Sequence, residues 1–312
     1  MQRNIAFRPR RLAHANLWVS NIEQSIAFYE SVLGIELVRR ERALKMGFHS
    51  NGNTHHDIGM IEISRGVDRY GRDGNIQIPK TAGTAVRLNH LGWEMESERD
   101  VADAYARAKA LGDAKFRTAD HLISHSVYVP DPDGNMHEFY ADAVDDWRTI
   151  FNLELEDEVT AAWDPLGAPP SDAHRYPVNP PIRSVPQSPL RPIRITRATL
   201  GTHDLDRMVD FFRDVAGLTL QDKADGQARF GGAAGGQDLI LVEAPKGGKT
   251  GLQKFSFVVT ADCDLAAAGK ALGAKGVAAR STDTADGPSL TVTDPDGFQI
   301  ELLSPANAGA AH

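Results

Sequence analysis

An internal repeat is the feature of this sequence that most restricts its fold. Residues 194–217 follow the pattern of residues 11–34 without a gap, so the 312-residue chain contains two related halves. Each copy has a short strand pattern, an amphipathic helix pattern and a final glycine of the C-cap type. In the first copy Ser20 and Glu23 match a capping box, and Gly34 supplies the stop. The helix is predicted to bury one stripe of side chains: Ile22, Ile26, Tyr29 and Leu33.

A second repeated motif doubles the number of modules. Residues 129–138 and 292–301 both contain a strand, an Asp-Pro-Asp-Gly turn and another strand, and an alanine-rich helix pattern precedes each. We therefore predict an α+β fold of four βαβββ modules that pair into two domains. The predicted modules cover residues 11–64, 87–141, 195–243 and 252–304.

Proline marks the connection between the two halves. Residues 164–193 hold nine of the 17 prolines and show little apolar periodicity, which favours an extended segment on the surface. We predict a first domain at 1–148, a linker at 149–193 and a second domain at 194–312. The acidic, partly apolar stretch 143–160 could add a short helix.

Composition and charge restrict the partners. The net charge of −8 disfavours nucleic acid, because an acidic surface is repelled by phosphates. No apolar stretch approaches the length of a membrane span, and residues 1–4 do not begin a signal-peptide pattern. A single cysteine, Cys263, excludes an internal disulfide framework. We therefore expect a cytoplasmic protein that binds neither nucleic acid nor membrane.

The four-module pattern resembles the vicinal oxygen chelate superfamily. This superfamily includes glyoxalase I, fosfomycin-resistance proteins, bleomycin-binding proteins and type I extradiol dioxygenases, so the fold alone does not give the function. The resemblance covers nearly the whole chain outside the linker, and it implies that the paired modules curl around a cavity. It also implies metal ligands on the first and last strands of the paired modules: His14, His90 and Glu138.

This ligand set indicates the class of metal. Two imidazoles and one carboxylate match the facial triad of non-haem iron oxygenases, which leaves positions for a diol and O₂. The expected cofactor is Fe(II), with Mn(II) as a possible substitute. In the second half the aligned residues are Arg197, Lys254 and Glu301. Two cations cannot replace imidazole ligands, so the second domain is predicted to be degenerate and to bind no metal.

Three further residues favour an oxygenase. A His-His pair resembles the extradiol pattern, in which the second histidine, here His56, faces O₂ and does acid–base work. Tyr128 matches the family tyrosine that hydrogen-bonds a substrate oxygen, and His121 matches a second histidine that contacts the substrate. The second half has Gln237 and Thr291 in place of His56 and Tyr128. We therefore predict an extradiol dioxygenase that acts on a small aromatic diol with O₂, and the fold implies a homo-oligomer.

Other interpretations stay open at the level of single residues. A lone strand histidine is more often structural than a ligand, and His49 and His125 could also line the cavity. Asp57 is expected to fix local backbone or a histidine tautomer. Glu62 is the main competitor, because simple alternation places it on the face of His56, where it would be a fourth protein ligand as in glyoxalase I.

The alternative functions follow from that uncertainty. A non-oxidative metal-dependent lyase, isomerase or thiol transferase would use a fourth ligand such as Glu62. A non-catalytic binder of aromatic molecules would need no metal ligands at all. The ring substituents are not predicted, although residues 66–86, rich in Gly, Arg and Asp, could cover the mouth of the site.

Overall fold

The computed structural model describes residues 5–112, 116–153, 160–284 and 287–305. Within these ranges each half of the chain forms one eight-stranded mixed sheet. Residues 69–70 and 76–78 of the first half form a separate two-stranded sheet. The predicted α+β fold with paired modules is confirmed. The predicted domain limits stay predictions, and both predicted chain ends, at 1–4 and 306–312, lie outside the described residues.

The first half contains ten of the described strands and two α-helices. In chain order they are β1 (Arg11–Val19), α1 (Ile22–Phe28), β2 (Leu37–Glu41), β3 (Met46–His49), β4 (Ile58–Glu62), β5 (Arg69–Tyr70), β6 (Ile76–Ile78), β7 (Arg87–Glu94), α2 (Glu98–Ala110), β8 (Arg117–Asp120), β9 (Ser124–Pro130) and β10 (Met136–Asp142). One π-helical turn, Tyr29–Leu33, continues α1.

The second half repeats this order without the small extra sheet. Its elements are β11 (Pro192–Thr202), α3 (Leu205–Phe211), β12 (Thr219–Ala224), β13 (Gln227–Gly231), β14 (Leu239–Glu243), β15 (Gly251–Val259), α4 (Leu265–Ala274), β16 (Ala279–Thr284), β17 (Gly287–Thr293) and β18 (Gln299–Leu303). A π-helical turn also continues α3, at Phe212–Ala216.

The two modules of each half join through their first strands. β1 pairs antiparallel with β7, and β11 pairs antiparallel with β15. The last strand of each module runs parallel to the first, as β4 does to β1 and β10 does to β7. The first sheet has the order β2-β3-β4-β1-β7-β10-β9-β8, and the second sheet repeats it. The strands β1, β7 and β10 therefore lie side by side at the centre of the first sheet.

The first helix begins one residue later than predicted. Its N-cap is Asn21, whose side-chain oxygen accepts hydrogen bonds from the backbone N–H groups two and three residues later. The predicted Ser20 cap is wrong, since Asn21 is the N-cap, and the Ser20 backbone N–H donates to Asp296 of the second half. Gly34 ends the helical segment with a φ of 78°, as predicted. All four residues of the predicted stripe are buried: Ile22, Ile26, Tyr29 and Leu33.

Alternation along β1 separates the core from the opposite, concave face of the sheet. Ala15 and Leu17 are fully buried in the main apolar core, which includes residues of helices from both halves. His14, Asn16 and Trp18 have the opposite parity and point away from that core. Asn16 and Trp18 line a cavity, so the concave face carries the polar chemistry of the first half.

Two buried carboxylates hold the halves together in a reciprocal manner. Asp238 of the second half accepts the backbone N–H of Leu12 at 2.9 Å. Asp57 of the first half accepts the backbone N–H of Ile195 at 2.9 Å. The first strand of each half is therefore fixed by a carboxylate of the other half.

The connection between the halves lies against the first half. Arg183 donates its backbone N–H to the Asn51 carbonyl, and the Ser188 hydroxyl donates to the Val32 carbonyl. In the stretch 143–160 the structure has one 3₁₀ turn, Trp147–Thr149, while residues 154–159 of that stretch lie outside the described residues.

In the described part of the chain no helix is both long enough and apolar enough to cross a bilayer.

Candidate active site

Three neighbouring strands place three of the predicted site residues together. The strand register sets Gly92 of β7 opposite His14 of β1 on one side and opposite Glu138 of β10 on the other. A Cβ atom at Gly92 would lie 2.0 Å from the His14 ring, so only glycine leaves room for this ring. The absent side chain lets the imidazole cross β7 and reach the carboxylate.

Glu138 lies at the centre of this group. Its Oε2 is 2.8 Å from His14 Nε2 and 3.0 Å from His90 Nε2. All three side chains are buried, and their candidate ligand atoms lie within 4.8 Å of one another. The His90 Nδ1 atom lies 3.2 Å from the Asn89 side-chain oxygen, which favours the tautomer with a lone pair on Nε2.

The protonation of the group suits a divalent metal. Burial lowers the pKa of His14 to about 4, against the opposing effect of Glu138, so the imidazole is neutral near pH 7. Burial alone would raise the pKa of Glu138, but His90 and His14 outweigh it and hold that pKa well below the ordinary value. Two imidazoles and one carboxylate form a donor set that Fe(II), Mn(II) or Zn(II) can use.

Tyr128 and His121 extend the site on the β9 side. The Tyr128 hydroxyl donates to Glu138 Oε1 at 2.6 Å, and His121 Nε2 lies 2.8 Å from the same hydroxyl. On the other side of the His121 ring, Nδ1 lies 3.3 Å from the Thr160 hydroxyl. The predicted site residues His121, Tyr128 and Glu138 therefore form one hydrogen-bonded chain.

His56 approaches the site from the loop before β4. Its ring centroid is 4.1 Å from that of His14, and the rings of Phe48 and Phe151 lie on its other sides at 5.1 and 6.1 Å. Neither of its ring nitrogens has a hydrogen-bond partner among the described residues. Burial holds the pKa of His56 well below 6.5, so this buried imidazole is neutral.

His55 is oriented by a residue that the sequence analysis missed. Asp142 Oδ1 lies 3.1 Å from His55 Nδ1, and both side chains are buried. His55, His56 and His14 form a second group of possible ligand atoms within 4.8 Å. Alternation could have indicated this aspartate, because Glu138 and Asp142 are four residues apart on one strand and share a face.

Glu62, which was considered as a fourth ligand, lies away from the site. Glu62 points to the helix side of β4, where it binds Lys45 Nζ at 2.5 Å and accepts the backbone N–H of Ile22. Alternation misplaced it because β4 begins at residue 58, so His56 precedes the strand and does not share its register. A fourth ligand from Glu62 is therefore inconsistent with the structure.

Two histidines considered for the cavity do not line it. His125 stacks on Trp163 and lies 3.1 Å from Glu98. His49 is fully buried with Tyr29 nearby, and burial lowers its pKa to about 3. These residues belong to the packing of the first half.

The aligned residues of the second half form an ion-pair cluster. Lys254 Nζ lies 2.7 Å from one oxygen of Glu301, and Arg197 lies 3.3 Å from the other. Ser256, the counterpart of Gly92, donates its hydroxyl to the same carboxylate at 2.7 Å. Two cationic side chains thus neutralise the carboxylate internally, and they offer no lone pairs for a metal at neutral pH.

A cavity of about 940 Å³ opens over the first sheet. It is lined by His55, His56, His90, His121, Tyr128 and Glu138, together with an apolar region that includes Trp18 and Ile61. Residues 73, 75–79 and 82 also line it, so the segment that was considered as a possible cover does border the cavity. Arg117, which the sequence analysis did not single out, lies over the Tyr128 ring at 3.9 Å.

Comparison with known proteins finds similarity both to dioxygenases and to a lyase. Biphenyl-2,3-diol 1,2-dioxygenase 3 of Rhodococcus globerulus is 27% identical over 132 residues, which cover 42% of this chain and 63% of that enzyme, less than two thirds of its length. Lactoylglutathione lyase of Neisseria meningitidis serogroup A is 31% identical over 136 residues, 41% of this chain and 88% of that protein. The crystal structure of the 2,3-dioxygenase LapB from Pseudomonas sp. KL28 has a TM-score of 0.66 at 17% identity, covering 98% of this chain and 95% of that one.

The family assignment itself comes from a match that covers both halves. Residues 11–139 and 194–302 fit the model of one superfamily and leave out the proline-rich connection. The chain therefore belongs to the Glyoxalase/Bleomycin resistance protein/Dioxygenase superfamily.

Proposed function

We propose that this protein is an extradiol ring-cleaving dioxygenase, which uses Fe(II) to insert both atoms of O₂ into a catechol-type diol. The observation that carries the proposal is the arrangement around Glu138. One of its carboxylate oxygens faces two histidine Nε2 atoms, and the other accepts the Tyr128 hydroxyl. Similarity to a biphenyl-diol dioxygenase supports the same reaction class.

His14, His90 and Glu138 are the residues that would hold the metal. When bound, Fe(II) would supply Lewis acidity toward the diol hydroxyls and a redox partner for O₂. Mn(II) suits the same donors. The second half would hold none, because Lys254 and Arg197 already neutralise Glu301.

His121 and Tyr128 would orient the diol. The single Tyr128 proton is donated to Glu138, so the phenol oxygen must accept from His121 Nε2–H. The Thr160 hydroxyl supports this tautomer by donating to Nδ1. Burial lowers the pKa of His121 to about 4, so the ring is neutral near pH 7 and has one N–H, which would turn from the Tyr128 oxygen to a substrate oxygen when the diol binds.

His56 would be the acid–base residue. Its ring is neutral and buried, and its nitrogens have no hydrogen-bond partner among the described residues, so it can accept a proton from a diol hydroxyl. The resulting imidazolium can return that proton to the ring-opened product. The aligned Gln237 could not do this, because an amide does not titrate near neutral pH.

One alternative is a non-oxidative metal-dependent lyase, isomerase or transferase. It is favoured by the similarity to lactoylglutathione lyase. The position of Glu62 weighs against it, because this carboxylate pairs with Lys45 on the other face of β4. Turnover with redox-inert Zn(II) and without O₂ would support this alternative.

The test is to load the purified protein with Fe(II) without oxygen, add a panel of catechols in air and follow O₂ uptake beside the visible spectrum. We expect one O₂ consumed per diol and a yellow ring-opened product. Glu138→Gln should abolish uptake, whereas Glu301→Gln, the same change in the second half, should leave it intact. No uptake with any diol, from protein that still binds metal, would contradict the proposal.

A further inference from the structure

The connection from β4 to β7 is much longer than its counterpart in the second half. Residues 63–86 make this connection, 24 residues, whereas residues 244–250 join β14 to β15 with seven. The two sheets have the same strand order, so the extra length is not needed to form the sheet. The longer connection occurs in the half that contains the candidate active site.

The connecting segment 63–86 packs on one end of the concave face. Its Ile78 and Ala82 join Trp18, Leu44 and Ile61 in an apolar cluster separate from the main core. The backbone of Gly83 lies flat against the Trp18 ring, since a Cβ atom there would be 2.1 Å from the ring. The segment therefore fixes the position of Trp18.

This apolar cluster is continuous with the active-site cavity. The four buried side chains of the cluster line that cavity: Trp18, Leu44, Ile61 and Ile78. Ile76 also lines it, and these five residues are called the apolar wall. Glu138 lines the cavity at the level of His14, and Trp18 lines it four residues further along β1, which corresponds to ~13 Å along the strand. The cavity thus extends beyond the length of a single aromatic ring.

Charge around the cavity is also uneven. Among the described lining residues Arg117 is the one Lys or Arg, and it lies over Tyr128 near Glu138. The other formal charges outside Glu138 are those of Glu41, which pairs with Arg39, and of Asp73. Glu41 belongs to β2, which leads to the hairpin of Leu44, and Asp73 belongs to the connecting segment. An anionic substituent would therefore meet no counter-ion at the apolar wall.

We propose that the connecting segment 63–86 is the specificity element of this protein, and that its apolar wall selects diols with an uncharged apolar substituent about as large as a second ring. The inference rests on the proposed function, because the diol must lie at the His14, His90 and Glu138 end. Ile76 is half-exposed at the edge of the cavity, and Ile78 lies deeper.

The experiment measures binding and turnover with the Fe(II)-loaded protein. Calorimetry without oxygen gives the affinity for catechol, 3- and 4-phenylcatechol and 3,4-dihydroxybenzoate, and O₂ uptake gives kcat/KM for each. We expect at least one phenylcatechol to exceed catechol by about tenfold or more in both quantities, and the benzoate to be poorest. Ile76→Asp and Ile78→Ala should each remove about tenfold of that preference.

Val67→Asp is the matched control, because Val67 is exposed in the same segment and does not line the cavity. It should preserve the preference. Equal affinity for catechol and phenylcatechols, or a preference untouched by both isoleucine variants, would overturn the inference. If no diol consumes O₂ yet the binding preference and its loss in the variants persist, the apolar wall stands and the dioxygenase proposal fails. If O₂ is consumed without any preference, only the apolar wall fails.

Discussion

Tyr128 donates its hydroxyl to one oxygen of Glu138 at 2.6 Å, while the other oxygen of the same carboxylate faces His14 and His90. One carboxylate thus connects the candidate metal ligands to the candidate substrate-binding residues. A change at Glu138 should affect both functions, whereas a change at Tyr128 should affect one. This difference can be measured.

Glu138→Gln should lower metal affinity about 100-fold or more, because even residues that only support a ligand contribute 10–100-fold. The glutamine amide carries no negative charge, and the two imidazoles cannot supply one to balance the charge of the metal ion. Metal content after dialysis and calorimetric titration with Fe(II) or Mn(II) measure the loss. Glu301→Gln is the control and should retain metal binding, although it should lower the free energy of unfolding by about 1–3 kcal/mol, since Lys254 and Arg197 lose their partner. Equal metal binding in both variants would reject the assigned ligand.

Tyr128→Phe should keep the metal and lower kcat/KM by about 10–100-fold, which corresponds to the loss of one buried hydrogen bond to a charged group. Tyr140→Phe is a close control, because Tyr140 lies two residues from Glu138 on β10 and its hydroxyl contacts Thr54 instead. Steady-state O₂ uptake and metal content should be compared in the two variants. A larger kinetic defect in Tyr140→Phe would show that Tyr128 has no special part.

Gly92→Ala should displace the His14 ring and so weaken metal binding, because a Cβ atom at this position would lie 2.0 Å from the ring. The backbone of a central strand cannot move far enough to accept that overlap. Gly273→Ala serves as a control, since a Cβ atom there meets nothing within 4 Å. Metal titration and thermal unfolding of both variants test the expectation, and intact metal affinity in Gly92→Ala would contradict it.

The fold could be predicted because the sequence repeats itself. Two motifs that recur in both halves set the number of modules, and Gly34 and the buried stripe of the first helix followed from local rules. The helix start was missed by one residue, because Ser20 and Asn21 are both good cap residues. The Ser20 backbone N–H also donates to Asp296 of the second half. Local patterns cannot show a contact between residues so far apart in the chain.

The candidate site, like the fold, could be predicted only in part from the sequence. His14, His90 and Glu138 could be named from the resemblance to the superfamily, and the structure brings their side chains together, while their roles stay predictions. Glu62 was misjudged because alternation was extended beyond the start of β4. The pairing of Asp142 with His55 and the apolar wall around Trp18 depend on strand order and on a long connection. No local sequence pattern indicates either of these two features.

The reciprocal carboxylates between the halves give the last prediction. Burial raises the pKa of Asp238 from 3.8 to about 6 in the folded protein, against two backbone N–H donors, while the unfolded chain keeps the ordinary value. Between these two values the folded state binds more protons than the unfolded state, so stability from this group falls as pH rises from about 4 to 6. The effect is at most about 3 kcal/mol and is complete above that range.

Asp238→Asn removes this titration and retains one acceptor for the Leu12 N–H. The free energy of unfolding of the variant, relative to the unchanged protein, should therefore increase as pH rises from 4 to 6 and then stay level. Urea unfolding of the metal-free protein at several pH values gives this difference. Asp210→Asn provides the baseline, because that carboxylate is largely exposed on α3. A pH-independent difference for Asp238→Asn would mean that this carboxylate is ionised in the folded protein, held by Arg11 and Arg194 nearby.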